Sequence, residues 1–155
     1  MHLCCDVLKA LSGKTLATAE SCTGGGIGTA ITSVPGSSEI YKGGIISYTN
    51  WVKENVLCVK RELLEKVGAV SAPVAEAMAK GAKMRLEVDV AVSVTGLAGP
   101  GGDEFGNPVG TVYIGYCDDN ECCSECFVFA GDRESVRQQA VEAALQLVLQ
   151  KAVDF

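Results

Sequence analysis

The chain has 155 residues, of which 48% are hydrophobic and 21% charged, with a formal net charge of −6. This length suits one domain with one core, and the acidic balance gives no basic field for a nucleic acid, so we expect no such partner. The longest apolar runs fall short of the roughly 20 residues that cross a bilayer, and the N-terminus lacks a signal-peptide pattern. We therefore expect a cytoplasmic protein without a membrane partner.

Helix and strand signals alternate in the first half of the chain. Apolar residues at helical spacing, β-branched runs and glycine or proline stops mark the elements. The predicted elements are a helix over 3–11, a strand over 15–20, a helix over 27–34, a strand over 43–48, a short helix capped by Asn50, and another over 61–67. A glycine-rich turn joins the first strand to the second helix.

The second half predicts a long helix, a central strand and an antiparallel hairpin. Ser71 with Pro73 and Glu76 marks a helix start, with Ser71 as the cap. The run 88–94 is apolar almost throughout, as in a strand buried on both faces at the middle of a sheet. A loop over 95–106 with five glycines follows. Strands over 109–116 and 122–129 and a last helix after Asp132 complete a mixed sheet.

Eight cysteines raise the question of a metal site or a disulfide framework. Only Cys123 and Cys126 have ligand spacing, no second pair lies at a suitable distance, and His2 is the only histidine. A redox or zinc protein is therefore the weakest hypothesis, and we expect no metal. Most of the cysteines are interpreted as small buried hydrophobic residues.

Ser21 stands at the turn between the first strand and the second helix. A serine there exposes its hydroxyl beside free helix N–H groups, which is an arrangement suited to acyl transfer. The pattern Gly-x-Ser-x-Gly is absent and His2 lies in a terminal helix, so a Ser-His-Asp triad is not supported. From the local pattern, Ser21 is equally suited to capping the helix, and so is Thr23.

A lysine with a lowered pKa can replace histidine as the base. Lys53 and Lys42 are the nearest in the sequence, and Lys53 is preferred because it follows a strand end, where functional groups gather in α/β proteins. Arg133 and Arg137 lie one turn apart and can hold an anionic group, or can pair with neighbouring acids.

Several blocks in the same order closely resemble the family of the C-terminal domain of competence/damage-inducible protein A, whose members include nicotinamide mononucleotide amidohydrolases. The blocks are Ala19-Glu20-Ser21-Cys22-Thr23-Gly24-Gly25 and residues 34–38, 43–50 with Lys53, 92–102, 108–112 and 131–133. The resemblance spans nearly the full length. It implies one domain over 1–155 and a three-layer α/β/α sandwich. It also implies hydrolysis of the carboxamide of nicotinamide mononucleotide to nicotinic acid mononucleotide and ammonia, without a metal and without a cofactor.

The resemblance also implies roles for individual residues. Ser21 corresponds to the nucleophile, Lys53 to the general base and Arg137 to a substrate-side cation, with amides near Cys22 and Thr23 as the oxyanion hole. The implied substrate-binding residues are Cys22, Thr23, Gly24, Tyr48, Asn50, Thr95, Gly96, Ala98, Gly99 and Gly101. A homo-oligomer is expected, with exposed apolar positions over 145–153 as its interface.

Three features depart from the usual pattern of that family. Asp103 and Glu104 place two acids beside the expected pocket, Cys58 stands where glycine is common, and the hairpin over 117–126 is rich in cysteine. Some members carry a larger N-terminal domain. A weakly catalytic nucleotide-binding or regulatory module therefore remains the alternative function.

Overall fold

The computed structural model describes residues 2–155, in which a five-stranded mixed sheet has the strand order β2-β1-β3-β4-β5. The strands are β1 Leu16–Glu20, β2 Tyr41–Ile46, β3 Val90–Gly96, β4 Thr111–Cys117 and β5 Cys122–Val128. The helices are α1 His2–Ala10, α2 Gly26–Thr32, α3 Asn50–Asn55, α4 Arg61–Val67, α5 Ala72–Leu86 and α6 Arg133–Ala152. β1 pairs in parallel with β2 and β3, whereas β4 is antiparallel to both neighbours.

Helices cover both faces of this sheet. One apolar cluster joins α1, α2 and α6 to side chains such as Val92 and Ile114 on one face. The other cluster joins α4 and α5 to Ala19 and Ala91 on the opposite face. β3 lies at the centre and is buried from Val90 to Thr95. Its valines pack into the first cluster, and on the other face the hydroxyls of Ser93 and Thr95 are satisfied by backbone carbonyls. The predicted three-layer α/β/α fold with a mixed sheet is confirmed.

Two helix starts differ from the sequence prediction. Thr49, rather than Asn50, caps α3, because its extended backbone lets its hydroxyl accept the Val52 N–H. Ser71 does occupy the cap position of α5, but its hydroxyl donates to the carbonyl of Gly68 and caps nothing. In both cases the side chain that serves as a cap depends on the conformation of the preceding loop.

The cysteines also differ in part from the prediction. Cys117 and Cys122 are register partners in β4 and β5, and they form a disulfide rather than acting as separate hydrophobic residues. Cys4 and Cys22 are buried with free thiols, as predicted. The interpretation of most cysteines as buried is nevertheless wrong, because the other free thiols are half-buried (Cys5, Cys123) or exposed (Cys58, Cys126). Within residues 2–155, no group of three histidine, cysteine or acidic side chains is placed to hold a metal ion.

The last helix buries the apolar face on which an oligomer interface was expected. Leu145, Leu147 and Val148 pack into the core beside α1, and Val153 is the one large apolar side chain of residues 145–153 that is mostly exposed. This expectation about the surface is therefore wrong. No helix in the part of the chain described is long and apolar enough to cross a membrane.

The contact between α5 and the sheet depends on Gly115 in β4. A Cβ at this position would overlap the Ala75 carbonyl oxygen and the Ser93 hydroxyl. We expect Gly115→Ala to lower the free energy of unfolding by about 1–3 kcal/mol, because α5 must move off the sheet. Urea unfolding measures the loss. Gly101→Ala, which meets no atom within 4 Å, is the matched control, and an equal effect of the two changes would contradict this account.

Candidate active site

The site lies at the carboxyl ends of the parallel strands. Glu20 at the end of β1 is paired with Ile46 at the end of β2, so the residues that follow the two strands leave the sheet side by side. The N–H of Ser21 donates to the Val94 carbonyl at 3.0 Å, and the N–H of Ser47 donates to the Glu20 carbonyl at 2.7 Å. Ligands of open α/β sheets bind at this edge.

Lys53 reaches Ser21 from α3. Its side chain is almost fully buried, with 2% of the residue exposed. The Lys53 Nζ donates to the Ser21 Oγ at 3.0 Å and to the Ser47 carbonyl at 2.7 Å. The structure thus brings together the two residues that the sequence suggested as nucleophile and base. Lys42, the other candidate, lies on β2 and donates to the carbonyls of Ser38 and Glu39 instead.

Burial shifts the pKa values of Lys53 and Cys22, the two titratable groups beside Ser21. Removal from water lowers the pKa of Lys53 to about 8, and the neighbouring Cys22 opposes this only in part. Burial likewise raises the pKa of the Cys22 thiol to about 11, against the lowering effect of its own backbone N–H and the nearby cations. Near neutral pH, a neutral lysine amine is therefore accessible, whereas the cysteine stays a thiol.

Ser21 and Lys53 open into a cavity of about 470 Å³, which is within the range of small-molecule sites. Ten of the predicted site residues line it, namely Ser21, Cys22, Tyr48, Asn50, Lys53, Thr95, Gly96, Ala98, Gly99 and Gly101. The glycine-rich loop therefore does form one wall, so that its backbone lies next to any bound molecule.

Three predicted residues line a different cavity, on the outer side of the turn. They are Thr23, Gly24 and Arg137. The Arg137 guanidinium donates to the carbonyls of Cys22 and Thr23 at 3.0 and 3.3 Å, so it holds the turn rather than facing the cavity at Ser21. The cation that lines the Ser21 cavity is Arg133, one turn earlier, which donates to the Gly99 carbonyl at 2.7 Å and to the Tyr48 hydroxyl at 3.2 Å.

The helix that follows the turn is not capped by Ser21 or Thr23. Gly25 occupies the cap position without a side-chain bond, and the N–H groups of Ile27 and Gly28 donate to the Glu20 carboxylate. The alternative in which Ser21 is a helix cap is therefore wrong. Glu20 and Ser47 are the residues of this site that the sequence interpretation missed. The Glu20 carboxylate acts through the turn and the start of α2, and Ser47 acts through its contact with the end of the neighbouring strand β1.

The acids noted after the glycines are arranged unequally. The Asp103 carboxylate accepts the backbone N–H groups of Phe105 and Asn107 and the Asn107 side-chain amide, so it stabilises its own loop. Desolvation acts to raise the pKa of Asp103, but these hydrogen bonds together outweigh it and hold the pKa below its usual value. Both acids line a neighbouring cleft together with Phe105. Neither acid lines the cavity at Ser21.

The fold and site define an α/β protein with a buried serine–lysine pair at the carboxyl edge of a mixed sheet. The profile of the CinA C-terminal domain family matches residues 3–152. The chain therefore belongs to the CinA C-terminal domain family.

Relatives and solved structures agree with this assignment. A CinA-like protein of Parasynechococcus marenigrum is 50% identical over 136 residues, which are 86% of this chain but 32% of that protein. The chain thus spans about a third of the length of the curated relatives it matches. A CinA superfamily structure from Klebsiella pneumoniae 700603 is similar with a TM-score of 0.96, 33% identity, and coverage of 99% of this chain and 98% of that one.

A second structure has comparable similarity. The competence/damage inducible protein of Agrobacterium tumefaciens is 36% identical with a TM-score of 0.92, and the match covers 96% of this chain and 93% of that one.

Proposed function

We propose that this chain hydrolyses the carboxamide of nicotinamide mononucleotide to nicotinic acid mononucleotide and ammonia, by a serine–lysine mechanism. The observation that carries the proposal is the buried Lys53 Nζ at 3.0 Å from the Ser21 Oγ. An unactivated serine hydroxyl is a weak nucleophile, and a neutral amine within hydrogen-bond distance supplies the base it needs.

In the first half of the reaction the neutral Lys53 amine accepts the Ser21 proton as Oγ attacks the carboxamide carbon. The Ser47 carbonyl accepts one Lys53 N–H and so keeps the nitrogen lone pair directed at Ser21. As the tetrahedral intermediate collapses, the C–N bond breaks and Lys53 returns the proton to the leaving ammonia. Water then attacks the Ser21 ester with Lys53 again as base, which releases the carboxylate and restores the serine.

The turn supplies donors for the oxyanion. Within residues 2–155, the N–H groups of Cys22 and Thr23 donate to no backbone carbonyl, whereas those of Gly24 and Gly26 are bonded inside the turn. Free amides beside a nucleophile stabilise the negative charge that develops in the tetrahedral intermediate. The bonds from Arg137 to the carbonyls of Cys22 and Thr23 fix the peptide planes of this turn.

Arg133 is the cation best placed for an anionic part of the substrate. Its guanidinium lines the cavity and has five N–H donors, of which two hold Gly99 and Tyr48. Charged bidentate pairing of guanidinium with phosphate explains how an acidic chain can bind a nucleotide. Arg137 is reassigned to supporting the turn.

The two arginines should affect different kinetic constants. We expect Arg133→Ala to raise KM for nicotinamide mononucleotide by about tenfold or more with little change in kcat, because a charged hydrogen bond to phosphate is lost. Arg137→Ala should lower kcat instead. Steady-state kinetics on the mononucleotide, with nicotinamide riboside as a phosphate-free control, separate the roles. If Arg133→Ala had the same effect on both substrates, the phosphate role would be wrong.

The activity should depend on pH through Lys53. Because burial lowers the pKa of Lys53 to about 8, its amine is mostly protonated and inactive below that pH. We expect kcat to rise about tenfold per pH unit up to pH 8 and to level off above it. A rate profile from pH 6 to 9.5 measures this. A kcat that is flat or falls over that range would contradict the role of Lys53.

Ammonia release tests the proposed function as a whole. Purified protein is incubated with nicotinamide mononucleotide, and ammonia and nicotinic acid mononucleotide are measured together in equal amounts. Calorimetry with the same nucleotide distinguishes an enzyme from a binding module. Binding without ammonia release would reject the amidohydrolase and favour the binding module.

A further inference from the structure

The residue before Ser21 is a buried carboxylate that the serine–lysine pair does not use. Glu20 is 2% exposed, and in residues 2–155 it forms no ion pair. Burial of a carboxylate without a cation is costly unless hydrogen bonds replace the lost water. The hydrogen-bond donors around the Glu20 carboxylate must therefore fix the position of this side chain.

Four donors surround the Glu20 carboxylate, and they come from three consecutive segments of the chain. The Thr18 hydroxyl of β1 donates at 3.2 Å, and the Thr23 hydroxyl of the turn donates at 2.8 Å. The backbone N–H groups of Ile27 and Gly28, in the first turn of α2, donate at 2.8 and 3.0 Å. The carboxylate thus joins strand, turn and helix across the segment that contains Ser21.

We infer that Glu20 is a positioning residue, which holds the Ser21 turn in its reactive conformation through the Thr23 hydroxyl. Thr23 is 2% exposed and directs its hydroxyl to Glu20, away from the cavity in which the resemblance placed it. Arg137 holds the Thr23 carbonyl from the opposite side at 3.3 Å. Arg137 also holds the Cys22 carbonyl at 3.0 Å, and this carbonyl belongs to the peptide that carries the free Thr23 N–H. The peptides on both sides of Thr23 are therefore fixed.

This inference rests on the proposed function for the identity of the substrate. The contacts of Glu20 and Thr23 from which it is argued do not depend on that function. Displacement of a reacting group by about 1 Å can cost about a hundredfold in rate. Loss of the Thr23 hydroxyl should therefore slow reactions of Ser21 without changing the substrate-binding wall at Arg133. The bonds from the Ile27 and Gly28 N–H groups to Glu20 do not involve Thr23, so Thr23→Val leaves the start of α2 held.

The test compares Thr23→Val with Thr23→Ser, which keeps the hydroxyl. Two readouts are used: kcat and KM with nicotinamide mononucleotide, and the rate at which a fluorophosphonate labels Ser21, followed by intact mass. In the labelling step the Ser21 Oγ forms a bond to phosphorus, fluoride leaves, and Lys53 takes the proton. We expect Thr23→Val to lower both kcat and the labelling rate by about tenfold with KM changed by less than about threefold. Thr23→Ser should restore both rates.

Thr32→Val is the control for the loss of a threonine hydroxyl near α2, since that hydroxyl is exposed and donates only to carbonyls of its own helix. It should leave both rates unchanged. Glu20→Gln, which keeps the shape but places an amide N–H₂ against one of the backbone donors, should lower both rates further if it folds.

The outcomes separate the inference from the proposed function. Labelling that falls in Thr23→Val, in a protein that releases no ammonia, would reject the substrate and retain the positioning role. Unchanged kcat and labelling rate in Thr23→Val would overturn the inference, and so would a loss that Thr23→Ser does not restore. A wild-type Ser21 that is neither labelled nor active would overturn both.

Discussion

Lys53→Met is expected to lower kcat for ammonia release by between about 10² and 10⁴, the range that a general base contributes. Methionine keeps the length of the buried side chain but has no amine to accept the Ser21 proton. The KM should change little, because Lys53 acts on the nucleophile rather than on the phosphate. Steady-state rates at pH 9, where the wild-type amine is neutral, give the cleanest comparison.

The stability of Lys53→Met distinguishes this effect from misfolding. Burial in the folded protein lowers the pKa of Lys53 to about 8, so below pH 8 the folded state carries the full free-energy cost of burying a cation. This cost decreases as the pH rises from 8 towards the ordinary lysine pKa. Removing the amine relieves this cost at pH 7, although it leaves the Ser47 carbonyl without its donor. The midpoint of thermal unfolding should therefore stay within a few degrees of wild type.

Lys42→Met provides the matched control. Lys42 was the other candidate base, and its amine donates to two carbonyls of the preceding turn on the exposed side of β2. Its removal should leave kcat within about twofold of wild type, as for most surface substitutions. Equal losses in the two methionine variants would contradict a specific role for Lys53.

The layered fold could be predicted because its signals are local. The run that forms β3 carries no charged side chain between Val90 and Gly96, which favours a central strand covered by helices on both sides. The glycines after Ser21 mark where β1 gives way to α2, and Pro73 marks the start of α5. The observed strand ends differ from the predicted ones by about two residues: β2 begins at Tyr41 and β3 ends at Gly96. Pairing with neighbouring strands decides where a strand stops, and the local sequence does not contain that pairing.

The site was only partly predictable, because its contacts cross the sheet. Pairing of Glu20 with Ile46 brings Ser47 and Lys53 to Ser21, and no local pattern contains that pairing. The choice between Arg133 and Arg137 depends on which way the start of α6 faces, and one helical turn separates a cavity residue from one that supports the turn. A buried acid directly before a candidate nucleophile was the one signal that could have pointed to Glu20.

Ser21→Ala should have the largest effect of any substitution in the chain. Removal of the nucleophile leaves only the oxyanion donors and the binding cavity, so we expect kcat to fall by at least about 10⁴. Ser21 contributes little to packing through its hydroxyl, and the turn remains held by Glu20 and Arg137. Affinity for nicotinamide mononucleotide should therefore stay close to that of the wild type.

Ammonia release by wild type and Ser21→Ala, with nucleotide affinity measured by calorimetry on the same preparations, tests the central claim most directly. We predict turnover by wild type and none above background by Ser21→Ala, with dissociation constants within about threefold of each other. Turnover by Ser21→Ala at a rate similar to wild type would contradict the account, because the carboxamide would then be hydrolysed without the serine at the turn.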